Sequence, residues 1–451
     1  MTDTLPDATG TDQLIDELRG WLSDNWDPDL TVADWWERLG TSGWAAPTLP
    51  AEAFGRGVAR AVGVQVTNEI AAFGAVGAPY GLGLLLAAPT IADHGTPEQV
   101  DTLVRDIVTG RAAWCQLFSE PGAGSDLAGL TAKADLDGDE WIVNGQKVWT
   151  SLGQSADFGM LIARTDPDAP KHQGISYFAL DMHQPGVDVR PLREMTGHAM
   201  FNETFLTDAR VPADRLIGGR NQGWAVANTT LGYERAGLGT GGGSRGTIVM
   251  PGTVSGNLDR RVGDFAPPAG AGGRTRRSGS GEPPGRMGRT GRTGRSDDLL
   301  TGLARGNGSI ADPLIRQDLV RLYTLNELGR LNSERLKATR AAGGDIPGMA
   351  NVSKLSMSAV VRLTRDLGLR IVGAQGMLHA YRPEDQAVLN EATGNPFLPG
   401  VTGSALYAQA PSIYGGTDQI QRNIIGERVL GLPKEPGNEK DLPFSQLLRN
   451  G

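Results

Sequence analysis

The chain has 451 residues, enough for two or three domains and a large core. Its formal net charge of −8 and sequence pI of about 5.3 exclude a surface that broadly attracts nucleic acid. One cysteine, Cys115, excludes an intramolecular disulfide and fits a reducing cytoplasm, and five histidines without HxH or HExxH spacing give no metal site.

The polar, acidic start MTDTLPDATGTDQ has neither the basic nor the apolar region of a signal peptide. The apolar run Tyr80–Pro89 is too short to span a bilayer. Residues 12 to about 112 read as helices: Leu14, Leu18 and Leu22 recur every four residues, and Thr96-Pro97-Glu98-Gln99 is a capping box with Pro at the first helical position. From 113 to about 220 short alternating segments (Trp141–Val143, Gly159–Ala163, Gly174–Asp181, Val187–Val189, Asn202–Thr207) punctuated by Gly, Pro and Asp predict an antiparallel β domain. Within it, Ser119-Glu-Pro-Gly-Ala-Gly-Ser-Asp126 is a loop of small residues whose hydroxyls and amides can meet a bound group. The run Trp141-Ile-Val-Asn-Gly-Gln-Lys-Val-Trp-Thr-Ser151 predicts strand, Asn-Gly turn and strand, with Trp149 beside the hydroxyls of Thr150 and Ser151, a pairing suited to a flat, hydrogen-bonding heterocycle and also common in an ordinary hairpin.

Helical patterns return at Gly223, and Asp312-Pro313 opens a long helix with Leu314, Leu319, Leu322 and Leu328 at apolar positions. The expected domains are therefore 1–112 (helical), 113–222 (β) and 223–451 (helical), the last interrupted by a Gly/Arg-rich insertion at about 241–300. That insertion holds ten Arg, no Lys and five acidic residues, a net +5 in an otherwise acidic chain, and too few apolar residues to fold alone. It reads first as a solvated loop; a clamp for cofactor or substrate phosphates, a subunit contact and an RNA-binding element are the sharper alternatives, the last disfavoured because no Phe or Tyr interleaves the Arg-Gly run.

Ser119–Asp126 followed by Asn144-Gly-Gln-Lys-Val-Trp149 resembles the flavin-binding middle domain of the acyl-CoA dehydrogenases, and Ile413-Tyr-Gly-Gly-Thr-Asp-Gln-Ile-Gln-Arg-Asn-Ile-Ile425 with Arg428-Val-Leu-Gly-Leu432 resembles that family's C-terminal signature. The resemblance runs from about residue 10 to 435, apart from the insertion. It implies an α+β subunit with an N-terminal helical domain, a middle antiparallel β domain and a C-terminal helical bundle, binding FAD and an acyl-CoA. It implies transfer of electrons to an electron-transfer flavoprotein, and assembly as a homodimer or homotetramer or with a related subunit as a hetero-oligomer. It implies FAD contacts at Phe118, Ser119, Gly124, Ser125, Trp149, Ser151, Thr417 and Gln419, and substrate contacts at Ser125, Tyr414 and the Gly415 amide. Arg370-Ile-Val-Gly373-Ala-Gln-Gly376 resembles the turn that holds the adenine half across a dimer, with Arg370 replacing Gln and Ala374 replacing Gly; Gly373 and Gly376 read equally well as a helix C-cap. The family's Arg-x-x-Phe-Gly element is not intact, Arg305-Gly306 being the nearest match.

In that family a carboxylate removes the α-proton of the thioester. Many members carry it as the Glu of Tyr-Glu-Gly-Thr, where this chain reads Tyr414-Gly415-Gly416-Thr417 and has no side chain to take a proton. Isovaleryl- and long-chain-type members carry it in a Glu-Arg pair on an earlier helix, matched here by Glu234-Arg235. Glu234 is therefore the expected base. The alternatives are a silent subunit working beside a base-bearing partner, an oxidase or monooxygenase on the same scaffold, and, for Glu234 by itself, an ordinary solvated helix-face carboxylate. Gly232, Gly237 and Gly239 around it could admit a wide or branched acyl group, or permit close helix packing.

Overall fold

The computed structural model describes residues 8–239, 248–266, 296–434 and 441–447, which pack as two compact units. The first draws on Met1–Leu192, Met200–Arg277 and Gly437–Gly451, the second on Arg193–Ala199 and Ser278–Pro436. In chain order the described residues give helices, an antiparallel-rich sheet and helices again, the α+β layout read from the sequence.

In the first unit α1 (Ala8–Asn25) carries the predicted stripe: Leu18 and Leu22 are fully buried and Leu14 packs at their edge. Next, α2 (Val32–Thr41) buries Trp35 and Trp36, whose indole N–H groups donate to the carbonyls of Val76 (2.8 Å) and Gly77 (2.9 Å), so neither ring carries an orphan donor into the core. After α3 (Arg60–Phe73) and α4 (Ala88–His94), the capping box forms as read: Gln99 N donates to Thr96 Oγ1 and Thr96 N to Gln99 Oε1. It starts α5 (Pro97–Gln99), which passes through a π-turn at Val100–Val104 into α6 (Arg105–Val108).

The sheet holds β1 (Trp114–Leu117), β2 (Lys133–Asp137), β3 (Glu140–Ser151), β4 (Phe158–Arg164), β5 (Ile175–Asp181), β6 (Val187–Leu192), β7 (Phe201–Pro212) and β8 (Leu216–Ile217), in the order β6-β7-β3-β2-β4-β5-β8. β1 pairs with β4 in parallel; the long ladders β3–β7, β4–β5 and β6–β7 are antiparallel. Alternation divides two cores: Met160, Ile162 and Tyr177 face the helices, while Leu161, Ala163 and Phe178 face the second core with Trp141 and Val143.

The Asn-Gly turn is not formed. β3 runs straight through Asn144 and Gly145, and the β2–β3 hairpin turns at Gly138-Asp139. Asn144 instead exchanges hydrogen bonds with Asp208 on β7, flanking a bulge. Gly145 sits at φ +156°, where a Cβ would lie 2.5 Å from that of Ala132, so its smallness serves a close strand approach.

α7 (Gly223–Gly239) closes the helical side of this unit against β5 and α4: Thr230 meets Thr90 (3.0 Å), Tyr233 donates to Asp93 (2.8 Å) and Thr229 meets His94 (2.8 Å). Part of the Gly/Arg-rich insertion also packs here, contrary to its reading as a solvated loop. Residues 248–266 form a strap that buries Val249 and Val262. Its Leu258 and Arg260 carbonyls accept the first-turn amides of Ala33 and Val32, donors that α2 leaves unpaired by itself. The buried Asp157 carboxylate fastens the strap, accepting Ala113 N (2.8 Å), Thr253 N and Thr253 Oγ1. The arginine-dense 267–295 stretch lies outside the described residues.

The second unit contains α8 (Ser296–Gly306), α9 (Pro313–Ala341), α10 (Met349–Val372), α11 (Pro383–Thr393), α12 (Leu398–Tyr407) and α13 (Asp418–Ile424). Asp312 caps α9 and Pro313 opens it, as read. Leu319 and Leu322 are buried, but Leu314 and Leu328 are 67% and 51% exposed, because the core contributed by α8 and α10 covers only the Ile315–Leu319–Leu322 line of the helix.

Removing the strap's anchor in Asp157→Ala leaves buried amides without an acceptor. The variant is expected to lose about 3 kcal/mol of unfolding free energy in urea and to speed hydrogen exchange at Val32 and Ala33. Wild-type exchange at those two amides would show that the strap holds without Asp157.

Candidate active site

The Ser119–Asp126 loop is a tight turn closed by reciprocal backbone hydrogen bonds between Glu120 and Ala123 (3.0 and 3.1 Å). The Ser119 carbonyl accepts the Val148 amide (2.9 Å), which joins the loop to the end of β3. A buried ion pair underlies this junction. Lys147, fully buried, donates to Glu120 Oε1 (2.8 Å) and to the Phe118 carbonyl (3.2 Å). Glu120 also accepts Thr131 N (2.7 Å), Thr131 Oγ1 (2.8 Å) and Ala132 N (3.0 Å). Burial alone would raise the Glu120 carboxyl, but Lys147 and the two amides hold it below the usual carboxylate range; burial pulls the Lys147 ammonium down against the same pairing. Both residues lie inside the Ser119–Asp126 and Asn144–Trp149 motifs, but the motifs alone give neither a role. Their signal was two opposite charges embedded in otherwise apolar or small-residue runs.

Trp149 follows directly, at a second bulge between Lys147 and Thr150. Its backbone is left-handed (φ +62°), at a cost of about 1–2 kcal/mol for a bulky residue. Its indole is 55% exposed and rests edge-on against Phe201, with ring centroids 5.8 Å apart. Thr150 does not share that surface: it is fully buried, its hydroxyl accepting from Thr204, so of the two hydroxyls read beside the indole only Ser151 stays half-exposed. Phe118 is buried edge-on against Tyr177, Ser119 is half-buried, and Gly124 and Ser125 are exposed, with nothing within 4 Å of a Cβ added at Gly124. A strained, exposed indole beside an open loop of amides and hydroxyls fits a flat cofactor such as the flavin of FAD.

Glu234 lies near the C-terminal end of α7, next to Tyr233, which packs into the helical core. The carboxyl is half-buried, and burial raises it above the ordinary range; Gln116 on β1 and Arg235 oppose the rise. This is not a solvated helix-face carboxylate.

The remaining expected residues belong to the second unit. Gly415 and Gly416 are both left-handed (φ +64° and +77°), so a glutamate at 415 would be strained. Gln421 Nε2 donates to the Gly415 carbonyl (2.9 Å), and among the described residues no hydrogen bond uses the Gly415 amide as donor. Asp418, buried, accepts from Arg362 (2.8 Å) and Lys354 (3.3 Å); burial would raise it, but these bonds hold it at about 2. Thr417 caps α13 by accepting Ile420 N, Gln419 is exposed, and the Tyr414 hydroxyl meets that of Tyr407 (2.9 Å). Arg370 is committed to Asp318 (2.6 Å), and Gly373 ends α10 as its C-cap. Among the described residues no cluster of three or more His, Cys, Asp or Glu could hold a metal, and no helix is long and apolar enough to cross a membrane.

Family models for the N-terminal, middle and C-terminal domains of acyl-CoA dehydrogenase match residues 13–111, 115–209 and 301–430. The chain is similar to the acyl-CoA dehydrogenase IpdE1 of Mycobacterium tuberculosis, 33% identical over 436 residues, covering 93% of this chain and 97% of that protein. It is also similar to mitochondrial isovaleryl-CoA dehydrogenase of Pongo abelii, 32% identical over 208 residues, 45% of this chain and 49% of that one. Among solved structures, the Tcur3481-Tcur3483 steroid ACAD shares the fold, with a TM-score of 0.64 at 24% identity over 96% of this chain and 100% of that one.

Lys147→Met leaves the Glu120 carboxylate buried without a counter-charge and is expected to cost about 3–5 kcal/mol of stability. Glu120→Gln combined with Lys147→Met should recover most of the loss in a double-mutant cycle. Because the folded-state value of Glu120 is depressed, its contribution is present above the ordinary carboxylate range and fades as pH falls through the depressed value; denaturation followed from pH 7 downward should show that loss in wild type and not in the double variant. Additive single-variant losses would contradict the pairing.

Proposed function

The chain belongs to the acyl-CoA dehydrogenase family, and from that premise we propose that it oxidises an acyl-CoA thioester to the 2,3-enoyl-CoA with Glu234 as the base. The observation that carries this reading is a half-buried, upward-shifted carboxyl at 234 in a chain whose other candidate position, Gly415, has no side chain. A carboxylate drawn partly out of water is a stronger base toward a weak carbon acid.

Members of this family are FAD-dependent flavoproteins, and the bound flavin supplies the redox chemistry by accepting the β-hydrogen as hydride. The chain's residues supply the rest. Phe118, Ser119, Gly124, Ser125, Trp149 and Ser151 hold the ring, and the Glu120–Lys147 pair fixes the loop and strand that carry them. Glu234 takes the α-proton on a carboxylate oxygen. Ser125, Tyr414 and the Gly415 amide are assigned to the substrate, the amide stabilising negative charge developing on the thioester oxygen. Thr417 and Gln419 are assigned to the flavin, and Arg370 and Gly373 to the adenine half.

Electrons leave to an electron-transfer flavoprotein, and the working form is a homodimer or homotetramer. A second reading, assembly with a related subunit, is favoured at the adenine turn: Ala374 replaces glycine, and Arg370 is held by Asp318.

Glu234→Gln is expected to keep its flavin and lose two or more orders of magnitude in the anaerobic rate of flavin reduction by a turned-over acyl-CoA. Reduction at the wild-type rate would place the base elsewhere.

A further inference from the structure

The strand that leads into the flavin-loop motif carries a polar residue that the mechanism above does not use. Along β1, Trp114, Gln116 and, just past the strand, Phe118 alternate onto the face that meets the helical core; Cys115 and Leu117 join the opposite core. Leu231 and Tyr233 of α7 pack into that same helical core. Gln116 is thus set between two buried aromatics on the face shared with the helix that bears Glu234. Its Nε2 is buried and has no hydrogen-bond partner, and the Gln116 side chain favours the ionised form of the Glu234 carboxyl. A buried amide donor without a partner costs about 1–3 kcal/mol, so a structure keeps one where a nearby group can take it.

We propose that Gln116 is a positioning residue for the Glu234 carboxyl, its Nε2–H donating to the ionised carboxylate and its Oε1 accepting from the protonated acid. The inference rests on the reading of Glu234 as base. A primary amide is the side chain for this task because it carries one donor end and one acceptor end. During turnover the α-C–H bond breaks and its electron pair enters the forming Cα=Cβ bond, the β-C–H bond breaks with its pair leaving as hydride to the flavin acceptor of the proposed reaction, and the α-proton forms an O–H bond on Glu234. The carboxyl changes from acceptor to donor at that moment, and an amide that can turn meets both states.

The charged and titratable groups around α7 do not duplicate this role. Arg235, on α7 itself, is exposed and acts on Glu234 through its charge. On α4, Asp93 is engaged by Tyr233 and His94 by Thr229; on β5, the Tyr177 hydroxyl meets Thr230. The π-turn Gly83–Ala87 carries no titratable side chain.

The sign of the effect follows from which state the amide donates to. Its donor favours the ionised base, so removing it makes Glu234 harder to ionise. Gln116→Met, close in length and shape, is expected to move the acid limb of the pH profile for anaerobic flavin reduction upward by about one pH unit, about tenfold in rate on that limb. The plateau rate should stay within a few-fold and the flavin content at the wild-type level. The isosteric Gln116→Glu, which sets a second carboxyl beside the first, should move the limb further in the same direction, and it serves as the test if the methionine variant fails to fold. An unmoved limb in either soluble variant, with Glu234→Gln inactive, overturns the role of Gln116 alone. Wild-type flavin reduction by Glu234→Gln overturns the base assignment, and Gln116 with it.

Discussion

The ion pair between Glu120 and Lys147 is the contact on which the junction of the Ser119–Asp126 loop with β3 depends. Desolvating two charges costs several kcal/mol, and only close pairing with saturated hydrogen bonding offsets it. Here the saturation is built from the Phe118 carbonyl on one side and the amides of Thr131 and Ala132 with the Thr131 hydroxyl on the other. Those partners come from the residue just past β1 and from the residues just before β2, while Glu120 sits in the turn between them and Lys147 comes from β3. The pair therefore joins three stretches of chain at one buried point, and the loop Ser119–Asp126 cannot shift relative to Trp149 without breaking it.

That fixed point makes the strained geometry next to it tolerable. Trp149 holds a left-handed backbone and an exposed indole two residues from Lys147. Strain of this kind persists where the surroundings over-determine it, and it gathers at ligand sites. On the helical side the same logic is distributed differently: hydroxyl contacts fix α7 to α4, and the strap at 248–266 caps α2 with backbone carbonyls. Glu234 thus projects from a helix whose own position is set by side-chain hydrogen bonds.

Local chemistry was legible in the sequence. The capping box at Thr96, the Asp312-Pro313 helix start and most strands follow from neighbours in the chain, and the two long motifs carried the family and the candidate site. The misreadings share a cause, which is that the deciding partner is distant in sequence. Asn144-Gly145 has hairpin chemistry, but Asp208 and Ala132 hold it in an extended strand. The apolar period of α9 could not say that Leu314 and Leu328 fall outside the line covered by α8 and α10. The strap escaped notice because backbone carbonyls do its capping, and composition does not record them. Glu120 and Lys147 stood in plain view, but pairing across 27 residues is a property of the fold.

The most direct test of the account is the visible spectrum of the full chain purified alone, recorded before and after anaerobic addition of a panel of acyl-CoA esters. The account predicts a flavin band at about 450 nm that bleaches with at least one ester, since it assigns both the flavin contacts and the base to this one chain. A protein without flavin, or a flavin that stays oxidised with every ester and is reduced only when a related subunit is added, would contradict it.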